Sequence, residues 1–240
     1  TTAAPTLLQR KVDAGEFLVT VELDPPRGHN IEKLVQGAKL LKERGVEIVD
    51  INDGSLGRVR MSVLPTAILV REATGLDINM HFTCRDRNLM GIQADVLGAH
   101  ALDIRNILAM TGDPPRSGDY VNATAVFDVD AIGLIRILTG MNEGRDATGN
   151  SVGEPTAFCV GAALDPSAAE PSREMERLIA KAEAGARWCQ TQPVYDLEVL
   201  ERFFQRTRSP IPVVVGVLPL HSSRHAEFLH NEVPGITVPD

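Results

Sequence analysis

The 240-residue sequence contains no Gly-x-Gly-x-x-Gly fingerprint, no Walker loop, no Cys-x-x-Cys pair and no cluster of carboxylates at metal-ligand spacing. Without the glycine-rich phosphate loops a Rossmann or nucleotide-hydrolase reading loses its footing, and a zinc knuckle is unsupported. Cysteine is scarce: Cys84, Cys159 and Cys189 are odd in number, far apart and each inside a strand-like run. That excludes a disulfide framework and leads us to expect a cytoplasmic, reduced protein. No Lys/Arg stripe offsets the net charge of −8, so no nucleic-acid partner is expected, although a locally basic pocket for a small anion fits an acidic protein. No apolar run is as long as a membrane span and no signal peptide is recognisable, so no membrane partner is expected. The first residue is Thr, and we expect the sequence to be an excerpt of a longer chain.

What is present is a rhythm. Apolar runs at 17–23, 47–53, 78–84, 106–112, 157–164, 188–194 and 212–220 end on polar or charged residues, and a helical pattern follows each. Helices are predicted over 31–41, 63–73, 89–102, 128–138, 172–186, 196–206 and 222–231, with Asn30 as an N-cap and Gly45 as a stop. Continuous apolar runs indicate parallel strands buried on both faces, and a recurrence near thirty residues indicates βα units. The predicted fold is α/β, a TIM-type (β/α)8 barrel. Seven units are one short of eight, so the eighth βα unit is expected outside these residues. With 43% hydrophobic and 23% charged residues, one barrel domain over 17–240 is the simplest count, behind a lead-in or linker at 1–16 that holds a short amphipathic piece at 7–12. The polar stretch 139–155 reads as a surface loop, either a lid or, as we favour, a solvated insertion.

In such a barrel chemistry sits at the C-terminal strand ends. Glu22 closes an apolar strand just before Pro25 and Pro26, and a carboxyl removed from water there suits general-acid work; it could equally be paired with a cation, and Asp24 could serve instead. Asp113 follows Gly112, which permits a positive φ or a close backbone approach, and precedes Pro114, so it could grip a polar ring edge or simply form a turn. His81, Thr83 and Arg85 share one strand face, as pocket lining or, for the histidine, as satisfied core. Gln192 offers an amide suited to a neutral heterocycle, with Gln190 one step deeper. Arg177 and Lys181, four apart, share a helix face that could meet phosphates or only water.

Taken in order, Val-Glu-Leu-Asp-Pro-Pro at 21–26, His-Phe-Thr-Cys at 81–84, Thr-Gly-Asp-Pro-Pro at 111–115, Lys-Ala-Glu-Ala-Gly-Ala at 181–186, Thr-Gln at 191–192 and Gly-Val-Leu-Pro-Leu at 216–220 resemble the methylenetetrahydrofolate reductase family. The stretches 126–130 and 227–235 look most like the bacterial subgroup fused behind a homocysteine methyltransferase domain. The resemblance implies a cytoplasmic flavoprotein barrel that passes a hydride from NADH or NADPH to FAD, and then to 5,10-methylenetetrahydrofolate, giving 5-methyltetrahydrofolate for methionine synthesis. It implies Glu22 as general acid for opening the folate ring and Asp113 as a second catalytic residue near flavin and pterin. Gln192 and Leu229 would bind substrate. FAD contacts carry over to Asn52, His81, Met110, Thr111, Gly112, Phe127, Ala163, Glu174, Arg177 and Lys181, with Lys181 toward the pyrophosphate. No metal is implied, while a homo-oligomer and a fused or associated homocysteine methyltransferase domain are.

Two positions depart from the family. Thr111 stands where many members carry Arg, and Ala163 where an aromatic is common. Their loss motivates two alternatives: a flavin-independent pterin-binding barrel using direct hydride or methyl transfer, and a non-catalytic folate- or flavin-binding module of a larger protein.

Overall fold

The computed structural model describes residues 3–205, 208–233 and 236–239. The chain forms two compact units, Thr1–Val160 and Gly161–Asp240. In the first, helix α1 (Leu7–Ala14) precedes β1 (Thr20–Leu23), α2 (Glu32–Glu43), β2 (Ile48–Ile51), α3 (Val63–Thr74), β3 (Asp77–Thr83), α4 (Leu89–Ala101), β4 (Asn106–Met110) and α5 (Ala131–Asn142). β5 (Cys159–Leu164) crosses the division; α6 (Pro171–Glu183), β6 (Trp188–Pro193), α7 (Leu197–Gln205), β7 (Val213–Gly216) and α8 (Ser223–Glu232) follow. Of the helix expected at 196–206, Arg206 lies outside the described residues, as do Pro234 and Gly235 of the 227–235 motif.

Strand pairing is parallel between chain neighbours: β1–β2, β2–β3 and β3–β4 in the first unit, β5–β6 and β6–β7 in the second. The alternation of strand and helix is that of the predicted barrel class. β2 is buried at every residue and β3 at all but its first, which is why they read as unbroken apolar runs. β1 is shorter than expected because its pairing begins at Thr20 opposite Ile48; Phe17 and Val19, counted in the strand from hydrophobicity, are exposed.

The interior of the first unit is not wholly apolar. Asp50 is buried and accepts hydrogen bonds from the Thr20 hydroxyl at 2.7 Å and the Asn79 amide at 2.8 Å. Buried Asn106 donates to the Ile78 carbonyl at 2.9 Å and accepts from the Thr6 hydroxyl. Such polar atoms survive burial because they are paired.

The segment expected to be a lead-in is tied to the sheet. The Thr6 hydroxyl caps α1 at Gln9 N, Leu8 N donates to the Asp77 carboxylate at 3.0 Å, and Leu8 is fully buried. Residues 139–155 begin inside α5 and precede β5, on the side of the strand N-termini, away from the strand ends where the sequence led us to expect chemistry. They form a compact loop pinned to α4 by Ala147 N donating to Gln93 Oε1 at 2.8 Å. That supports the solvated insertion over the lid.

Candidate active site

The acids at the end of β1 converge on the end of β2. Asn52 is buried, its backbone N–H donates to the Leu23 carbonyl at 3.1 Å, and its Nδ2 donates to Glu22 Oε1 at 2.6 Å and to Asp24 Oδ1 at 2.8 Å. Asp24 Oδ1 also accepts from the Ser55 hydroxyl at 2.8 Å, and Arg60 approaches its other oxygen at 3.7 Å. Glu22 itself is exposed. The sequence led us to expect a desolvated carboxyl; among the described residues β1 has β2 as its sheet neighbour, and Glu22 is accessible there. Glu22 therefore has one oxygen held by an amide while Oε2 has no partner among the described residues. Asp24, rather than Glu22, is the acid approached by a cation.

β3 and β4 build the adjoining rim. Gly112 has φ 95, and a Cβ there would lie 2.9 Å from the Thr83 Cβ and 3.2 Å from that of Arg85. Both uses of glycine read from sequence apply, because the backbone turns left-handed directly against β3. Asp113 is exposed, and its Oδ2 accepts from Leu56 N at 3.0 Å, fixing the 3-10 turn Ser55–Gly57, in which Leu56 has φ 57. Buried Arg85 spans the same loops from below: Nη1 donates to the Gly54 carbonyl at 3.0 Å and the Asp113 carbonyl at 3.4 Å. The Thr111 hydroxyl accepts from Ala131 N at 3.1 Å, at the first residue of α5, whose N-cap is Asp130. Phe127 is half-buried with φ 44, directly after Val126, whose N–H bonds the Arg85 carbonyl at 2.9 Å. His81 is buried mid-strand and its Nε2 has no partner among the described residues. Met110, half-buried, ends β4.

In the second unit, Lys181 is only 4% exposed. Its Nζ donates to the Ala163 carbonyl at 2.7 Å and lies 3.6 Å from Glu174, whose other oxygen is 3.6 Å from Arg177. Burial lowers the Lys181 ammonium, with Glu174 opposing. Sequence placed Arg177 and Lys181 on one helix face; the structure separates them by depth, with Arg177 partly exposed and Lys181 buried. Gln192 is exposed at the end of β6, where pairing with β7 is irregular between Gln190 and Pro193. Gln190 points its Oε1 into the protein without a partner among the described residues. Leu229 is buried in α8.

Sequence reasoning missed three groups. Asp53, one residue past Asn52, accepts from Thr83 N and Oγ1, both at 3.0 Å, and from Arg87 at 2.7 Å. Arg87 also bonds Asp95 at 2.8 Å and lies 4.3 Å from the Phe82 ring centroid. Asp165 directly follows β5, and its carboxyl is raised by burial against an opposing Ser167 N–H, with Glu174 adding to the rise. An available signal was the Asp-Pro step that also closes β1 at Asp24 and β4 at Asp113. Cys84 and Cys189 are poor nucleophiles, since burial pushes their thiols up to about 12. Among the described residues no group of three or more metal-ligating side chains occurs and no helix is long and apolar enough to cross a membrane.

Known proteins resemble this chain in sequence and in fold. A family model described as methylenetetrahydrofolate reductase matches residues 7–240. A probable methylenetetrahydrofolate reductase (NADPH) of Caenorhabditis elegans is 27% identical over 244 residues, covering 95% of this chain and 34% of the relative. Methylenetetrahydrofolate reductase (NADH) 1 of Arabidopsis thaliana is 24% identical over 233 residues, covering 92% of this chain and 39% of the relative. The chain thus spans between a third and two-fifths of the length of these two relatives. Among solved structures, an uncharacterized protein from Clostridium thermocellum that binds two copies of 5-methyl-5,6,7,8-tetrahydrofolic acid matches with a TM-score of 0.65 at 16% identity, over 97% of this chain and 77% of that one. At that identity the likeness speaks for the fold, a barrel of parallel βα units.

Proposed function

The chain belongs to the methylenetetrahydrofolate reductase family, and from that premise we propose that it reduces 5,10-methylenetetrahydrofolate to 5-methyltetrahydrofolate with NADH or NADPH, through bound FAD in two successive half-reactions. The observation that carries the reading is the Glu22–Asn52 pair at 2.6 Å, which sets an acid of the family motif at a strand end with one oxygen fixed and one unengaged. NADPH and NADH both occur in the names of the two relatives, so either reductant fits. The product would supply methyl transfer to homocysteine, and a homocysteine methyltransferase domain, fused or associated, is the partner this reading names.

Several residues fit a bound flavin. Buried His81 Nε2 and Gln190 Oε1 lack partners among the described residues, and polar atoms so placed favour a polar ligand edge. Lys181 donates to Ala163 and pairs with Glu174, so it would serve a pyrophosphate only with its remaining N–H. FAD, where bound, supplies the hydride relay between nicotinamide and the folate methylene. Within the first unit His81, Met110, Thr111, Gly112 and Phe127, with Asn52, would hold it.

Glu22 would hold a proton on Oε2 and deliver it to the folate nitrogen whose bond to the methylene breaks, while Asn52 keeps Oε1 in place. Asp113, exposed in the first unit, would offer the pterin edge an acceptor, and the family resemblance gives Gln192, exposed in the second, a substrate-binding amide. Leu229, buried in α8, would act by shaping the wall behind the substrate.

The test is spectroscopic and kinetic. The full protein reconstituted with FAD is expected to be yellow, and Glu22→Gln to leave flavin reduction by nicotinamide intact while abolishing folate reduction. Colourless protein that cannot take up FAD, or equal loss in both half-reactions, would overturn the reading.

A further inference from the structure

A second cluster of charge lies at the opposite end of the strands. A cleft of about 780 Å3 opens at the N-terminal face of the first unit, and Arg10, Lys42, Arg71 and Arg105 line it together with Glu47, Asp77 and Asp103. None of these residues belongs to the reductase site. In a chain of net charge −8, four cations gathered around one cleft call for a reason.

The carboxylates are already engaged. Glu47 pairs with Lys11 at 2.7 Å, Asp103 pairs with Arg105 at 2.7 Å, and Asp77 accepts the N–H groups of Leu8 at 3.0 Å and Ile78 at 3.1 Å. The remaining cations have no carboxylate partner among the described residues. Arg10 donates to the Pro5 carbonyl at 2.9 Å and Lys42 to the Thr74 carbonyl, both neutral acceptors. Arg71 Nη1 is shielded from solvent and has no acceptor among the described residues. Setting the two ion pairs aside, Arg10, Lys42 and Arg71 stand against Asp77 alone, which leaves two positive charges uncompensated.

We propose that this cleft is a binding site for a small phosphate-bearing dianion, with the Arg71 guanidinium as the principal contact and Arg10 and Lys42 closing around it. A planar guanidinium matches phosphate oxygens two at a time, and Lys adds a point charge. The volume lies in the range of small-molecule sites and exceeds what inorganic phosphate needs, so a phosphomonoester fits it. The site stands apart from the reductase reading, because its residues surround the strand N-termini and the acids of the proposed chemistry close the strand C-termini.

Isothermal titration of the full protein with inorganic phosphate and with glycerol 2-phosphate, at ionic strength held constant with chloride, tests the proposal. Saturable binding of either probe is expected, weakened about tenfold or more by Arg71→Met and also weakened by Arg10→Gln, a change on the exposed face of α1 that spares the core. Glu22→Gln is expected to bind both probes like the unaltered protein, which separates this site from the catalytic reading. Absence of saturation beyond the chloride control, or affinity unchanged in both arginine variants, would overturn the proposal.

Discussion

The Asn52 side-chain amide donates to Glu22 at 2.6 Å and, from the same nitrogen, to Asp24 at 2.8 Å. Two carboxylates two residues apart on one strand face are thereby held by one neutral, buried donor. Asn52→Ala removes that donor and leaves the two acids to repel each other at the strand end. Folate reduction is expected to fall about 10- to 100-fold, in the range of a mispositioned general acid, with flavin reduction by nicotinamide changed much less. Stopped-flow measurement of each half-reaction decides this; parallel losses in both would show that Asn52 acts through the cofactor alone.

Gly112 combines φ 95 with an approach to Thr83 and Arg85 that leaves no room for a Cβ. Gly112→Ala forces a left-handed alanine and pushes β4 away from the Thr83 Cβ at 2.9 Å. Strain and overpacking together are expected to cost about 2–4 kcal/mol, read as a lower urea midpoint at unchanged m. A variant within about 0.5 kcal/mol of the parent would mean that the backbone relaxes there without resistance.

Much of this was legible in the residues themselves. β2, β3 and β4 were readable because burial on both faces makes them continuous apolar runs, and Gly112 because a glycine before an acid at a strand end has few other uses. β1 was read three residues too long, since Phe17 and Val19 are as apolar as any strand residue and only the pairing partner, starting at Ile48, decides where the ladder begins. The exposure of Glu22 depends on its sheet neighbours, which local sequence does not contain. Asp53 and Arg87 are 34 residues apart in the chain, and nothing in either local pattern announces that they meet. For Lys181 the helix pattern left phosphate and water open, and only tertiary packing sets its ammonium against the Ala163 carbonyl.

The Asp53–Arg87 pair offers a stability test independent of any catalytic role. Both side chains are largely withdrawn from water, at 9% and 14% exposure, and Asp53 additionally receives two bonds from Thr83. Arg87→Met strands a buried carboxylate and is expected to destabilise by about 3–5 kcal/mol. Adding Asp53→Asn removes the stranded charge, so the double variant should recover part of that loss in chemical denaturation. A double variant less stable than the sum of the singles would contradict a pairwise ionic interaction.

Asp165 gives a pH-dependent prediction with a definite sign. Burial raises its carboxyl, partly opposed by the Ser167 N–H and reinforced by nearby Glu174. The folded protein therefore holds this proton more tightly than the unfolded chain does. The group favours folding most below the unfolded value, about 3.9, and its contribution is lost as pH rises through the raised folded value, leaving a penalty at neutral pH. Asp165→Asn keeps an oxygen for the Ser167 N–H, now 2.9 Å from Oδ1, and removes the charge that burial and Glu174 disfavour. The variant should melt above the parent at pH 7, and the difference should shrink toward zero below about pH 4, where both carry a neutral side chain. Thermal denaturation between those limits measures it. A variant that melts lower at pH 7, or by an offset that does not change with pH, would show that the charged form of Asp165 is the one the fold is built to hold.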